Sequence, residues 1–232
     1  MVKHIPSAIT AGNLICGFTA IMIGDFYWSP ILLLGSFVFD SLDGLIARAL
    51  HAQSQFGKQM DSLADVISFG VAPAYLYSLY SPDIDNKFFT IATCSTIVVA
   101  GTVRLAKFNI TPPKTYFMGL PIPANALFYI GIIIGIENNS QTFIDFFSSK
   151  INYVLTPLFL SAMMVSFGFR MFSTKGMTKH WKDNIYQAIL ALVAIILAIA
   201  YKYESVSYIV LAYIGLSIIN TLTSKYLERE PS

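Results

Sequence analysis

The 232-residue chain is 55% hydrophobic and only 12% charged, with a mean hydropathy of +0.62. Soluble domains carry roughly 25% charged residues, so this chain lacks the polar surface to cover a water-soluble globule, and lipid is the implied solvent. A formal net charge of +2, without any basic run interleaved with aromatics, excludes a nucleic-acid partner.

A helix needs about 20 mostly apolar residues to cross a bilayer core, which predicts about eight transmembrane helices, at residues 7–27, 30–50, 58–80, 88–108, 121–137, 151–171, 185–202 and 205–224. The first follows Lys3 and His4 and has the length of a secretory leader. Gly12, Asn13 and Gly17 interrupt its apolar run, no small-residue cleavage pattern follows, and Asp25 meets it directly, so a retained helix is expected. Breakers separate the helices at Trp28-Ser29-Pro30, Ser81-Pro82-Asp83, Pro112-Pro113, Glu137-Asn138-Asn139-Ser140 and Thr174-Lys175-Gly176. Cys16 and Cys94 both lie in apolar stretches and read as small core residues rather than a disulfide. No soluble insertion, low-complexity tract or internal repeat is visible, and residues 1–232 read as one all-α integral membrane domain.

Lysine and arginine placement predicts the orientation. With the N-terminus inside, all 15 basic residues except Lys87, Lys150 and Lys202 fall on the cytoplasmic side. The 13 acidic residues split almost evenly, as expected when positive charge alone sets topology. Both termini are then cytoplasmic, and Trp28 and Trp181 fall at boundaries, where interface anchors sit. His4, His51 and His180 lie in or beside cytoplasmic segments without metal-ligand spacing.

Charge inside hydrocarbon costs about 2.5–3.5 kcal/mol per residue at a helix centre, yet the second and third helices carry Asp40, Asp43, Asp61 and Asp65. Asp40 lies ten residues after Pro30, about 15 Å along a helix. Asp40 and Asp43 are three apart and share a face that Ala47 continues; Asp61 and Asp65 are four apart and share a face of the next helix. The short connection from Arg48 to Lys58 folds the two helices antiparallel, so both pairs converge near the cytoplasmic end. Converging carboxylates repel unless they are protonated, paired or bound to metal. An all-oxygen set favours Mg²⁺, Mn²⁺ or Ca²⁺ over zinc, and four carboxylates suffice for two such ions, an arrangement that clamps a diphosphate. An ion-pair network with Arg48 and Lys58, an ion or proton pathway, and a prenyl-diphosphate enzyme are the competing readings. The last usually has its Asp-rich motifs far apart, whereas all four aspartates here fall within residues 40–65.

Those residues carry a resemblance. Asp40-Ser41-Leu42-Asp43-Gly44-Leu45-Ile46-Ala47-Arg48, then eight residues, then Gly57, Asp61 and Asp65, fit the pattern D-x2-D-G-x2-A-R-x8-G-x3-D-x3-D without a gap. This resembles the signature of the CDP-alcohol phosphotransferases. The resemblance implies that Asp40, Asp43, Asp61 and Asp65 bind a pair of divalent cations, Mg²⁺ or Mn²⁺. It implies that Gly44, Ala47, Arg48 and Gly57 line a CDP pocket, and that Asp65, with Asp61 beside it, serves the reaction as general base. Small residues let a nucleotide approach the helix backbone, and Arg48 offers a fork of donors to phosphate oxygens. Asn13 is in reach of the nucleotide from the first helix, with helix–helix hydrogen bonding an equal alternative. The reaction implied is attack of an alcohol on the lipid-bearing phosphorus of a CDP-lipid, with CMP leaving, at a site facing the cytoplasm. The resemblance also implies a homodimer.

Three further stretches resemble the branch of the family whose acceptor is L-serine and whose donor is CDP-diacylglycerol. They are Ile5 to Leu14 with Gly17, Arg104 to Asn109, and Phe117 to Ala124; Pro6-Ser7 stands where that branch usually has Pro-Asn. Serine needs a cation for its carboxylate, which Arg104 supplies, with Lys107 and Asn109 within two turns. A cytoplasmic helix end with snorkelling side chains is the plainer reading of those residues. Arg170, at the end of the sixth predicted helix, is a further phosphate or headgroup candidate. Glycerol phosphate or inositol phosphate as acceptor, and a carboxylate-lined ion transporter, remain the alternatives.

Overall fold

The computed structural model describes residues 4–111, 117–166, 170–171 and 185–227. Lys3, Lys114, Lys175, Lys179, Lys182 and Arg229, on which the predicted orientation leans, lie outside these residues, as do Pro112-Pro113, His180 and Trp181. Among the described residues the chain is helical apart from one short strand pair.

Helix α1 (Ile5–Ile23) takes Pro6 into its first turn, where a missing N–H loses no bond. It ends at Gly24, whose φ of 61° is the left-handed cap that glycine adopts without strain. Asp25 then turns the chain: its Oδ1 accepts the backbone N–H of Trp28 at 2.6 Å and of Ser29 at 3.1 Å. The Ser29 hydroxyl donates back to the Ala20 carbonyl at 2.8 Å. Helix α2 (Trp28–Ala49) therefore returns tightly along α1.

The single helix predicted at 58–80 is three joined segments: α3 (Gln55–Asp65), a π-helical turn (Val66–Val71) and α4 (Ala72–Ser78), with helical backbone angles at both junctions. Pro73 supplies the reason. It has no N–H to donate one α-turn back, and its ring crowds that carbonyl; a wider π-turn just before it relieves both. Within that turn Ser68 is buried and donates to the Asn13 carbonyl of α1 at 3.0 Å, the same carbonyl that accepts from Ser36 of α2 at 3.2 Å. Gly17 permits the approach, since a Cβ there would stand 2.7 Å from the Cα of Ser68. One backbone oxygen thus ties three helices together.

The chain continues through α5 (Lys87–Ile110), α6 (Ile122–Glu137), α7 (Gln141–Ser148), α8 (Lys150–Val165), α9 (Ile185–Tyr201) and α10 (Ser205–Leu227). Helix α7 was not expected; Ser140 caps it by accepting the Phe143 N–H at 3.3 Å, and it buries Phe143 and Phe147. The helix expected at 151–171 stops at Val165. Gly119, with a φ of 73°, turns the preceding segment so that the Leu120 N–H reaches the Met163 carbonyl at 3.0 Å, satisfying part of the last turn of α8 from outside. Residues 170–171 then pair antiparallel with 117–118, Met118 opposite Arg170, so Arg170 lies in a strand and not at a helix end.

Among the described residues, four helices have the length and apolarity to cross a membrane: Ile5–Ile23, Trp28–Ala49, Lys87–Ile110 and Ser205–Thr223; Ile122–Glu137, Lys150–Val165 and Ile185–Tyr201 are shorter apolar helices. Ile15, Met22, Phe88, Ile91, Leu192 and Ile199 point outward, while Asn13, Ser36, Ser68, Asn125, Ser207 and Thr221 are buried. Apolar outside with polar and small groups between helices is the pattern of a bundle solvated by lipid. The α6–α10 contact shows it at close range: the Ser207 hydroxyl donates to the Phe128 carbonyl at 2.8 Å, beside Gly131. The protein is an integral, all-helical membrane protein.

Candidate active site

Helix α2 delivers Asp40 and Asp43, and α3 delivers Asp61 and Asp65. The carboxylate oxygens of Asp40, Asp61 and Asp65 lie within 4.8 Å of one another. Asp43 is not in that set. It is buried and accepts the Thr10 hydroxyl of α1 at 2.6 Å. A three-residue step leaves Asp43 about 60° short of a full helical turn from Asp40, which lets it reach α1 while it remains an electrostatic neighbour of Asp65 and lines the cavity with Asp61. All four carboxylates gather at one place: Asp40, Asp61 and Asp43 all act electrostatically on Asp65, with Asp43 also anchored to α1.

Asp65 is buried, and its Oδ1 accepts the Asn13 side-chain N–H at 3.3 Å. Asn13 is fully buried and supports Asp65; it is not among the residues that line the cavity below. The hydroxyl and amide that hold Asp43 and Asp65 thus both come from α1, three residues apart.

An open cavity of about 610 Å³ lies between α1, α2 and the start of α3. Gly44, Ala47, Arg48 and Gly57 all line it, and so do Asp43 and Asp61. Asp61 belongs both to the cavity wall and to the carboxylate triad, which joins the two. The Arg48 guanidinium lies 3.9 Å from where a Cβ on Gly44 would stand, so it runs along bare backbone. Gly57 sits in the first turn of α3, donating its N–H to the capping hydroxyl of Ser54 at 3.0 Å, and is not a turn glycine. Pro6, Ser7, Thr10, Gln53, Gln55 and Lys58 complete much of the wall and were missed from sequence as site residues. Thr10 left a signal, being a polar side chain one turn before Asn13 in an apolar helix.

The three candidates on α5 separate in space. Arg104 is buried, its Nε has no hydrogen-bond partner among the described residues, and its electrostatic neighbours are Tyr213 and Asp65. Asn109 stitches α5 to α3: its side-chain N–H donates to the Ser62 hydroxyl at 2.8 Å and its carbonyl accepts from Lys58 at 3.0 Å. Lys107 is half-buried on the last turn. Arg104 thus has Asp65 among its electrostatic neighbours.

The triad offers only carboxylate oxygens, close enough to share one ion, with Asp65 buried and Asp40 and Asp61 half-buried. That donor chemistry fits a hard divalent cation such as Mg²⁺ or Mn²⁺. Asp40, Asp61 and Asp65 would hold it.

A carboxylate triad with one buried and two half-buried members, opening on a glycine-lined cavity with a basic fork, is the equipment of a phosphoryl-transfer site. Residues 3–165 match the sequence profile described as CDP-alcohol phosphatidyltransferase, and the chain belongs to that family. Among curated relatives, it is 46% identical over 129 residues to the CDP-diacylglycerol–serine O-phosphatidyltransferase of Methanocaldococcus jannaschii, a match spanning 55% of this chain and 59% of that one. It is 35% identical over 171 residues to the archaetidylserine synthase of Methanothermobacter thermautotrophicus, covering 70% of this chain and 67% of that one. It is 38% identical over 128 residues to the CDP-diacylglycerol–serine O-phosphatidyltransferase of Bacillus subtilis, covering 52% and 70%.

Proposed function

We propose that the protein transfers a phosphatidyl group from CDP-diacylglycerol to the hydroxyl of L-serine and releases CMP. The observation that carries this reading is the single residue Asp61, which belongs to both the carboxylate triad and the cavity wall formed by Gly44, Ala47, Arg48 and Gly57. Family membership and the names of the relatives supply the donor and the acceptor.

Gly44, Ala47 and Gly57 admit the cytidine and its phosphates close to the helix backbones, and Arg48 donates a pair of N–H groups to phosphate oxygens. Asp40, Asp43, Asp61 and Asp65 would hold two divalent cations, Mg²⁺ or Mn²⁺, which when bound neutralise charge on the diphosphate and on the departing CMP. Arg104 receives the serine carboxylate, with Lys107 adding positive charge one turn on. Asp65 takes the serine hydroxyl proton as that oxygen bonds to the lipid-bearing phosphorus and the bond from phosphorus to the CMP oxygen breaks. Asn13 keeps Asp65 aimed for this step. In this reading the protein spans the cytoplasmic membrane with eight helices as a homodimer. Both ends of the chain lie on the cytoplasmic side, and the site faces the cytoplasm.

CMP release by the purified protein in detergent tests the proposal, with CDP-diacylglycerol, Mg²⁺ or Mn²⁺, and each alcohol added separately. Release with serine, lost in Asp61→Asn, is expected. Release only with glycerol phosphate or inositol phosphate would overturn the acceptor. No release from folded protein that still binds metal would favour an ion transporter.

A further inference from the structure

Two basic side chains stand on the cavity wall among the described residues, Arg48 on α2 and Lys58 on α3. Lys58 follows Gly57 and precedes Asp61 by three residues, about one helical turn. It therefore rises from the same side of α3 as the carboxylate that joins cavity and triad. Its ammonium is engaged elsewhere. Nζ donates to the Asn109 carbonyl at the end of α5, 3.0 Å away and exposed, and Asn109 does not line the cavity.

That bond makes little use of a full charge. An ammonium has three donors, and an exposed carbonyl at a helix end can take its hydrogen from water instead. The backbone beneath the side chain is held without the ammonium. The Lys58 N–H donates to the Ser54 carbonyl at 3.0 Å, and the Lys58 carbonyl accepts the Ser62 hydroxyl at 3.1 Å. Ser62 in turn accepts the Asn109 side-chain N–H at 2.8 Å, so α3 and α5 stay joined when Nζ lets go. A flexible four-carbon stem on a fixed base can swing into the cavity without moving a helix.

Charge supplies the reason to swing. In the function proposed above, two divalent cations match the four carboxylates, which leaves the two negative charges of the diphosphate to be met by side chains. Phosphate charge taken out of bulk water needs such partners. Arg48 meets one. The cavity wall holds one further cation among the described residues, and it is Lys58.

We propose that Lys58 is the second diphosphate-binding cation of this site. When the CDP-lipid enters, Nζ leaves the Asn109 carbonyl and donates to a phosphate oxygen. The assignment rests on the CDP-lipid reading of the cavity and adds to it a residue that exchanges partners between the empty and the occupied site.

The test uses the full-length protein in detergent with Mg²⁺, and Lys58→Met, which keeps an apolar stem and removes the ammonium. Affinities for CDP, CMP and cytidine would be measured by calorimetry. Loss of one charge-assisted bond should weaken CDP by about tenfold or more, and CMP by that factor or less. Affinity for cytidine and the KM for serine should stay within about twofold of wild type. Added salt should weaken CDP binding more steeply in wild type than in the variant. Lys58→Arg, which keeps the charge, should recover most of the affinity for CDP. Equal weakening of CDP, CMP and cytidine would overturn the assignment and mark Lys58 as a tie between α3 and α5. Unchanged affinity for CDP in Lys58→Met, or no recovery in Lys58→Arg, would overturn it too. Lys58→Gln, which keeps an N–H for the Asn109 carbonyl, carries the same expectations should the methionine variant fail to fold. Wild-type protein that binds neither CDP nor CMP would remove the nucleotide reading of the cavity itself, whatever Lys58 does.

Discussion

An alanine at Gly17 would place its Cβ 2.2 Å from the Ser68 hydroxyl oxygen and 2.7 Å from the Ser68 Cα. The first contact is relieved by a rotamer change. The second is with backbone, so α1 and the π-turn must separate. Reaching 3.4 Å, the near edge of ordinary contact, takes a displacement of about 0.7 Å. The Ser68 bond to the Asn13 carbonyl, now 3.0 Å, would then stretch beyond useful range. The Asn13 bond to Asp65 starts at 3.3 Å and has less slack still. Overpacking of this kind costs about 1–3 kcal/mol, and each lost hydrogen bond about 1 kcal/mol more. The effect on catalysis comes from Asp65 losing its aim, and a displacement approaching 1 Å costs roughly 10–100-fold in turnover. CMP release and thermal unfolding in detergent would be measured for Gly17→Ala beside Gly215→Ala. A Cβ at Gly215 meets nothing within 4 Å, so that variant should match wild type or gain a few tenths of a kcal/mol, up to about 1. Wild-type turnover in Gly17→Ala would refute the claim that the spacing of α1 from the π-turn holds Asp65 in place.

Thr10→Val keeps the shape of the side chain and deletes the 2.6 Å bond to Asp43. Thermal unfolding should show a loss of about 1.5–3 kcal/mol, the range for a bond to a charged group, with a raised KM for the CDP-lipid. Arg48→Lys replaces a planar fork by a point charge at the cavity wall. Steady-state kinetics should show the KM for CDP-diacylglycerol up by about tenfold and the KM for serine unchanged. Chelation with EDTA should abolish CMP release, and added Mg²⁺ or Mn²⁺ should restore it. Asp40→Asn should need about tenfold or more of the cation for half-maximal rate, read by metal titration.

The carboxylate cluster was legible in the sequence because its key spacings are local. Asp40 to Asp43 and Asp61 to Asp65 are steps of three and four, which helix geometry converts directly into shared faces. Gly44, Ala47, Arg48 and Gly57 fall on the cavity wall for the same reason. What escaped is what depends on distant partners. Thr10 meets Asp43 across 33 residues and Asn13 meets Asp65 across 52, and nothing in either neighbourhood encodes the meeting. Helix α7 was invisible to a search for spans because eight residues cannot cross a bilayer. The end of α8 at Val165 was missed because apolar sequence runs on after it, while the bond from Leu120 to the Met163 carbonyl, which serves the helix end, comes from another part of the chain. Pro73, in contrast, did announce the broken helix at 66–71, and an apolar run of the expected length masked it.

A π-turn takes one residue more per turn than an α-turn, so the helical segment 55–78 is out of phase with itself by one residue, about 100° of rotation. Before the turn, that phase presents Asp61 and Asp65 to the aspartate of α2. After it, the shifted phase sends Ala72 and Leu76 into the packed interior, where both are fully buried. Substitutions between 66 and 71 leave the offset intact. Removing one residue there would take out that offset and swing either the carboxylates or the packing face out of position. At this point in the chain, the number of residues matters more than their identity.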